Sequence, residues 1–318
     1  MDSDPIWKYI VPQMSPCARA RYSLLPAFNQ INQKFPLVVD ELIMSPYNFK
    51  VNGDEFSLME FRGHVYLKIN GVKEAKVIKT QTLHAMMQYL LVKVLGGTNF
   101  SEVRVTNWVF DRGNITYLQN CGLKFDVDNL KFLTEIKRGA KTLDQIRPVL
   151  TERSLPLNRV EVRDANHRND PIVAHAQLLV FPKYCNLTAM AFLPNKRVYY
   201  ESSYARLATD FVNFHYHWGL RLDAAVAGKH YTTTRDRPAI KEMFDMLQSN
   251  QVNAQKTRIP RLRLSTRFNY CLTKEMTNNG ELTVWVEMGG PTTHTVHFQV
   301  DPIGTAKKWT SLVMKPVP

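Results

Sequence analysis

A helix–short loop–strand order recurs through the middle of the chain, and it constrains the fold more than any other feature of the sequence. The clearest helix starts near Thr80, where Leu83, Met86, Met87, Leu90, Leu91, Val94 and Leu95 keep the i, i+3, i+4, i+7 spacing of one apolar face. Gly96-Gly97 closes it as a left-handed cap would. The strand Glu102-Val-Arg-Val follows. A second copy joins a helix over 143–152 to a turn at Leu155-Pro156 and the strand Arg159-Val-Glu-Val. A third joins a helix at 171–176 to a strand at 177–181. Strands reached in this way are expected to lie parallel, with the helices packed on one side. The copies are irregularly spaced, which describes a leucine-rich-repeat-like body and not a regular repeat.

Residues 1–45 form a separate helical head, and 46–318 the α/β interaction body. In the head Ile6, Ile10 and Met14 fall at helical spacing and Pro12 and Pro16 interrupt. A second helix is expected from Ala18 to about Gln33, with Leu24, Leu25, Phe28 and Ile31 on one face and Pro26 kinking or ending it. Asn52-Gly53 and Asn70-Gly71 each stand between alternating apolar residues, the signal of a small β meander. Further helices are expected at 204–218 and from Arg237-Pro238 onward. From about residue 257 the chain turns to β, with strands at 268–273 and 282–288 around Asn278-Asn-Gly280 and a third at 295–300. The fold class is therefore α/β or α+β, with a C-terminal hairpin region.

Hydrophobic residues make up 44% of the 318, which is enough for a core and excludes a disordered chain. The N-terminus is acidic and carries no signal-peptide pattern, and no run approaches the ~20 apolar residues of a membrane span. The four cysteines are scattered, so an intracellular protein, cytoplasmic or nuclear, is expected.

Catalytic signatures fail one after another. The sequence contains no phosphate-cradling glycine loop, no Gly-x-Ser-x-Gly elbow and no His-Glu-x-x-His. His215 and His217 lie two apart on a helix and point to different faces, so they do not make a metal pair. His294 and His297, three apart, face a similar objection on a strand. Asp126 and Asp128 can share a strand face as an acid/base pair would, though two solvated carboxylates explain the same letters. Cys121 and Cys271 become nucleophiles only beside a histidine. The expectation is a non-enzyme with no metal and no cofactor.

Charge points outward instead. Lys and Arg number 41 against 28 Asp and Glu, a net charge of +13 that favours acidic partners. The cations concentrate at Lys256, Arg258, Arg261, Arg263 and Arg267, beside Phe268 and Tyr270. From Arg261 to Leu264 basic and apolar residues alternate, as in a strand with a cationic face. That segment supports an alternative reading as a nucleic-acid-binding strand.

Several short stretches carry a resemblance. They are Tyr9-Ile-Val-Pro-Gln-Met with Arg21 and Leu25-Pro26, Lys34-Phe-Pro-Leu running into Asp40-Glu-Leu, and Val51-Asn-Gly. Phe211-Val-Asn-Phe-His-Tyr-His-Trp-Gly219, Asn279-Gly-Glu-Leu-Thr-Val-Trp-Val and Asp301-Pro-Ile-Gly-Thr-Ala complete the set. Together they resemble a nematode family of F-box-associated domains of unknown function. The resemblance implies an F-box-like head that docks on a Skp1-type adaptor of a cullin-type ubiquitin ligase, and a body that selects a protein substrate. It places the adaptor contact on Pro5, Ile6, Ile10, Val11 and Met14. The head departs from a typical F-box in lacking its Leu-Pro opening and its later tryptophan.

Overall fold

The computed structural model describes residues 7–22, 37–62, 64–77, 82–96, 102–111, 115–118, 121–134, 142–163, 167–182, 193–202, 225–231, 255–257, 271–275, 279–290 and 293–303. Among the described residues strands dominate and helices are few and short, an α+β fold. The chain packs as two compact units: Met1–Val162 with Asp170–Ala176, and Arg163–Asn169 with Gln177–Pro318.

The first unit opens on the helix Trp7–Ile10, a tight turn Val11–Gln13 and the helix Pro16–Tyr22. Pro16 does not interrupt, contrary to the sequence reading; it opens the second helix, where its missing N–H costs nothing. Residues 23–36, with Leu24, Leu25, Pro26, Phe28 and Ile31, lie outside the described residues. One contact braces the head internally and another ties it to the strand Asp54–Phe61. The guanidinium of Arg19, itself buried, donates from Nε and Nη2 to the Val11 carbonyl at 3.1 and 2.6 Å. The Cys17 amide donates to Asp54 Oδ2 at 2.8 Å.

Five strands follow: β1 (Val39–Ser45), β2 (Asn48–Val51), β3 (Asp54–Phe61), β4 (His64–Ile69) and β5 (Val72–Val77). Consecutive strands pair antiparallel, which is the expected meander. Asn52 and Asn70 take the left-handed backbone at φ 49° and 51°, and Gly53 and Gly71 follow at 92° and 79°, as two-residue primed turns require. Each asparagine also clasps its neighbour strand. Asn52 Oδ1 accepts from the Asp40 and Glu41 amides, and Asn70 Oδ1 from the Glu55 amide.

The helix Leu83–Leu91 starts later than expected, capped by Thr82, whose Oγ1 accepts from the Ala85 amide at 3.2 Å. It runs into a wider turn at Val92–Gly96, and Gly97, expected to help close the helix, lies outside the described residues. β6 (Glu102–Phe110) is longer than the four residues read from the sequence. β7 (Lys124–Phe132) is a strand that the helix–strand scheme passes over. The helix expected over 143–152 is shorter, Thr142–Ile146, with tight turns at Arg147–Val149 and Glu152–Ser154. Pro148 accounts for this, since it has no N–H to continue the helix. β8 (Arg159–Glu161) closes the run. In space the strands order β8-β7-β6-β1-β2-β3-β4-β5. The pairs β1·β6, β6·β7 and β7·β8 are parallel, as the crossover order predicts.

Burial exposes a pattern within these parallel strands. Val39, Leu42 and Met44 point inward on β1; Val105, Trp108 and Phe110 on β6; Val127, Leu130 and Phe132 on β7. Leu157, Val160 and Val162 repeat it around β8, and none of the twelve is more than 4% exposed. The shared form is apolar-x-x-apolar-x-apolar. The two residues inside each first gap are not buried: Asp40-Glu41, Thr106-Asn107, Asp128-Asn129 and Asn158-Arg159. This doublet shifts the alternation by one residue, and it does so at the same level on every strand. Trp108 sits at the centre of the core, its ring 4.6 Å from Phe125 and 4.8 Å from Phe110.

In the second unit β9 (Leu178–Phe181), β10 (Arg197–Ser202) and β11 (Ala225–Tyr231) run parallel. They join antiparallel β15 (Thr293–Pro302), β14 (Gly280–Gly290), β13 (Cys271–Glu275) and β12 (Gln255–Thr257). The helix that precedes β9 in sequence, Pro171–Ala174, belongs to the first unit and is capped by Asp170, whose Oδ1 accepts from the Ile172 amide. The C-terminal hairpin stands as expected, with Asn279 at φ 60° where the chain enters β14. The helices expected at 204–218 and from 237 lie outside the described residues.

Candidate functional site

The doublets open one face of the first unit's sheet to polar side chains, and those side chains connect across strands. Asn107 on β6 and Asn129 on β7 are register partners. Asn129 Nδ2 donates to Asn107 Oδ1 at 3.1 Å, and Asn107 Nδ2 donates to the Asp40 carbonyl on β1 at 3.2 Å. Asp40 in turn hands its own amide to Asn52. One polar chain therefore crosses from β7 to the β2–β3 turn.

Charged pairs lie alongside. Glu161 on β8 is buried, and its two oxygens meet Lys131 Nζ at 2.9 Å and Arg159 Nη2 at 3.3 Å. A buried carboxylate needs such partners, because desolvating it alone costs several kcal/mol. Arg104 reaches Asp128 at 3.7 Å, and Lys50 reaches Glu55 at 3.0 Å. The face is mixed in sign, and apart from buried Glu161 its charged heads are exposed or half-exposed. Such a surface suits recognition by hydrogen bonds and ion pairs.

At the other end of the same strands the groups are spent on structure. Tyr117, buried, donates its hydroxyl to the Ser45 carbonyl at 2.8 Å. Burial pushes the Tyr117 phenol well above its ordinary range. Ser45 Oγ lies 3.4 Å from Asp111 Oδ2, and Thr134 Oγ1 donates to the Asp111 carbonyl at 2.8 Å. These bonds fix where β1, β6 and β7 end.

The residues singled out by the sequence fall out as follows. Asp126 and Asp128 do share one face of β7, where Arg104 holds Asp128 as a surface ion pair. Cys121 is buried, and desolvation raises its thiol pKa, which works against a nucleophilic thiolate. His297 lies flat on Trp285, centroids 4.6 Å apart and planes 5° apart, within a buried polar row that includes Glu281, Thr283, Gln299 and Asp301. Gln299 Nε2 donates to both Asp301 oxygens at 2.9 and 3.1 Å. Among the described residues no three His, Cys, Asp or Glu side chains are grouped to hold a metal ion.

Of the head residues, Val11 is fully buried, Ile10 is 44% exposed and Met14 is half-buried. Pro5 and Ile6 lie outside the described residues. Tyr9 and Tyr22, which the sequence reading passed over, are exposed on the same two helices. Lys256 stands on β12 opposite Leu272 of β13. Arg258, Arg261, Arg263 and Arg267 lie outside the described residues, as do His215 and His217. Among the described residues no helix is long and apolar enough to cross a membrane.

Residues 82–236 match a family model described as a domain of unknown function, DUF3557. No curated protein and no solved structure gives a match.

Proposed function

We propose that the chain is a non-enzymatic protein-interaction module, the substrate-recognition subunit of a cullin-type ubiquitin ligase. In this reading the F-box-like head meets a Skp1-type adaptor, and the leucine-rich-repeat-like body presents the polar face of its parallel strands to a protein substrate. The carrying observation is the apolar-x-x-apolar-x-apolar element repeated in register on β1, β6, β7 and β8, with a solvent-facing polar doublet at the same level on each. Repetition of that kind builds a rigid array of side chains on one side, a form suited to binding an extended partner surface.

In this reading the open residues of the head are the ones available to the adaptor. Ile10, Tyr9 and Tyr22 are open, whereas Val11 already lies in the unit's own core. Co-expression with a Skp1-type adaptor tests the reading. The adaptor is expected to co-purify with the wild-type chain and to be lost from an Ile10→Asp, Met14→Asp double variant that keeps its circular dichroism. Absence of the adaptor from the wild-type sample rejects the ligase assignment.

A further inference from the structure

A second surface lies on the β3–β4 hairpin, away from the parallel strands. Outward positions of β3 carry Ser57, Met59 and Phe61, since Phe56 and Leu58 point into the core. Their register partners on β4 are Lys68, Tyr66 and His64. Met59 and Phe61 are 37% and 52% exposed, and Tyr47, next to this face at the β1–β2 turn, is 58% exposed. Met59 and Phe61 thus stand open on one hairpin face, with Tyr47 open at the neighbouring turn, an apolar grouping of the kind that marks interaction sites.

The aromatic groups are held in fixed geometry. His64 and Tyr66 meet edge to face, centroids 6.5 Å apart and planes at 81°. The Arg62 guanidinium lies over the Phe61 ring, 5.2 Å from its centroid. Aromatic, methionine and arginine side chains are the types enriched where protein surfaces meet, because they offer large apolar area at low entropic cost.

Two cations on this face stand apart from its one described ion pair, Lys50–Glu55. Arg62 and Lys68 have no salt bridge among the described residues. Among the described side chains, the nearby carboxylates are engaged or turned away. Lys50 holds Glu55, and Asp54 accepts from Cys17 and Asn70. Glu60 stands opposite Val65, whose side chain faces the core. The hairpin thus offers apolar anchors ringed by unanswered cations.

We propose that this face binds an acidic protein segment carrying an aromatic or long aliphatic anchor. The anchor covers Met59 and Phe61, and its flanking carboxylates meet Arg62 and Lys68. The residues invoked, Met59, Phe61, Arg62 and Lys68, are none of those assigned to the adaptor or to the parallel-strand face, so the two readings are tested by different variants.

Fluorescence anisotropy on the full chain tests it with two labelled peptides of equal length. One alternates glutamate with phenylalanine and leucine, and the other replaces each glutamate by lysine. The acidic peptide is expected to bind, more weakly as salt rises, and the lysine peptide not to bind. Phe61→Ser and the pair Arg62→Glu, Lys68→Glu are each expected to weaken binding about 10-fold or more. All three positions lie outside the core; should either variant lose its circular dichroism, Phe61→Leu with Lys68→Gln is held to the same criterion. No binding of the acidic peptide, equal binding by the variants, or displacement by single-stranded RNA with the same variant sensitivity overturns the proposal.

Discussion

Asn129 hands its side-chain amide to Asn107, its register partner on the next parallel strand, and Asn107 passes the same kind of bond on to the Asp40 carbonyl. The relation fixes both the spacing of the strands and the direction in which the polar doublets face.

Asn107→Ala breaks both links of that chain, and Asn129→Ala breaks one. A neutral hydrogen bond of this sort contributes about 1 kcal/mol net. Asn107→Ala is therefore expected to lower unfolding stability by roughly 1–2 kcal/mol and Asn129→Ala by about half as much. Urea unfolding of the two single variants and the double variant should show that the losses do not add, since the Asn107–Asn129 bond is counted in each.

Tyr117 supplies a pH-dependent term. Its phenol is raised in the folded chain by burial, whereas the unfolded chain ionises near the ordinary value of ~10. The folded state thus retains a proton that the unfolded state gives up, so this contribution is intact below ~10 and is lost as pH rises beyond it. Tyr117→Phe removes the bond to Ser45, at a cost of about 1 kcal/mol near neutrality. It also removes the alkaline term, so the gap in stability between wild type and Tyr117→Phe is expected to close above pH ~10. Chemical denaturation at pH 7 and at pH values above ~10 reads it directly; a gap that widens contradicts the burial argument.

The sequence revealed the parallel order, the meander and the C-terminal hairpin, because each rests on a local signal: helix before strand, or Asn-Gly between apolar alternations. It did not reveal β7 or the full length of β6. In both strands the polar doublet, Thr106-Asn107 or Asp128-Asn129, interrupts strict alternation, and a period-2 reading stops there. The apolar-x-x-apolar-x-apolar form was present in the letters, but burial was needed to show that it recurs at one level of the sheet. Charge was harder to place. The sequence directed attention to residues 256–267, whereas the face built from β1, β6, β7 and β8 is mixed in sign, a property that depends on pairs such as Lys131–Glu161 and lies in no single segment.

Trp108 tests the shared core of the repeated element. It is fully buried and packs against Phe110 and Phe125 from its place on β6. Truncation to alanine opens a cavity at the centre of the parallel strands and is expected to cost about 3–5 kcal/mol. Leu130→Ala, the register partner on β7, is expected to cost about 2–5 kcal/mol by the same mechanism. Arg104→Lys, at an exposed position of β6, should stay within about 0.5 kcal/mol, so a flat profile from thermal unfolding contradicts the assignment of inward and outward positions.

Arg19 braces the head internally, joining its second helix to the turn at Val11. Its Nε and Nη2 both donate to the Val11 carbonyl, and Val11 itself is fully buried. Hydrogen bonds from a charged donor contribute about 1.5–3 kcal/mol, so Arg19→Ala is expected to lower stability by roughly 2–3 kcal/mol. Arg19→Lys keeps the charge but not the fork, and a single ammonium does not reproduce two directed bonds to one oxygen. It should recover only part of the loss. Tyr9 and Tyr22 are exposed on the head's two helices, so limited chymotrypsin digestion reports on that segment separately from global unfolding. Faster cleavage at those two tyrosines in Arg19→Ala, with the body's fragments unchanged, is the result expected if Arg19 acts as the head's internal brace. Cleavage that speeds up equally along the whole chain would assign Arg19 to the common core instead.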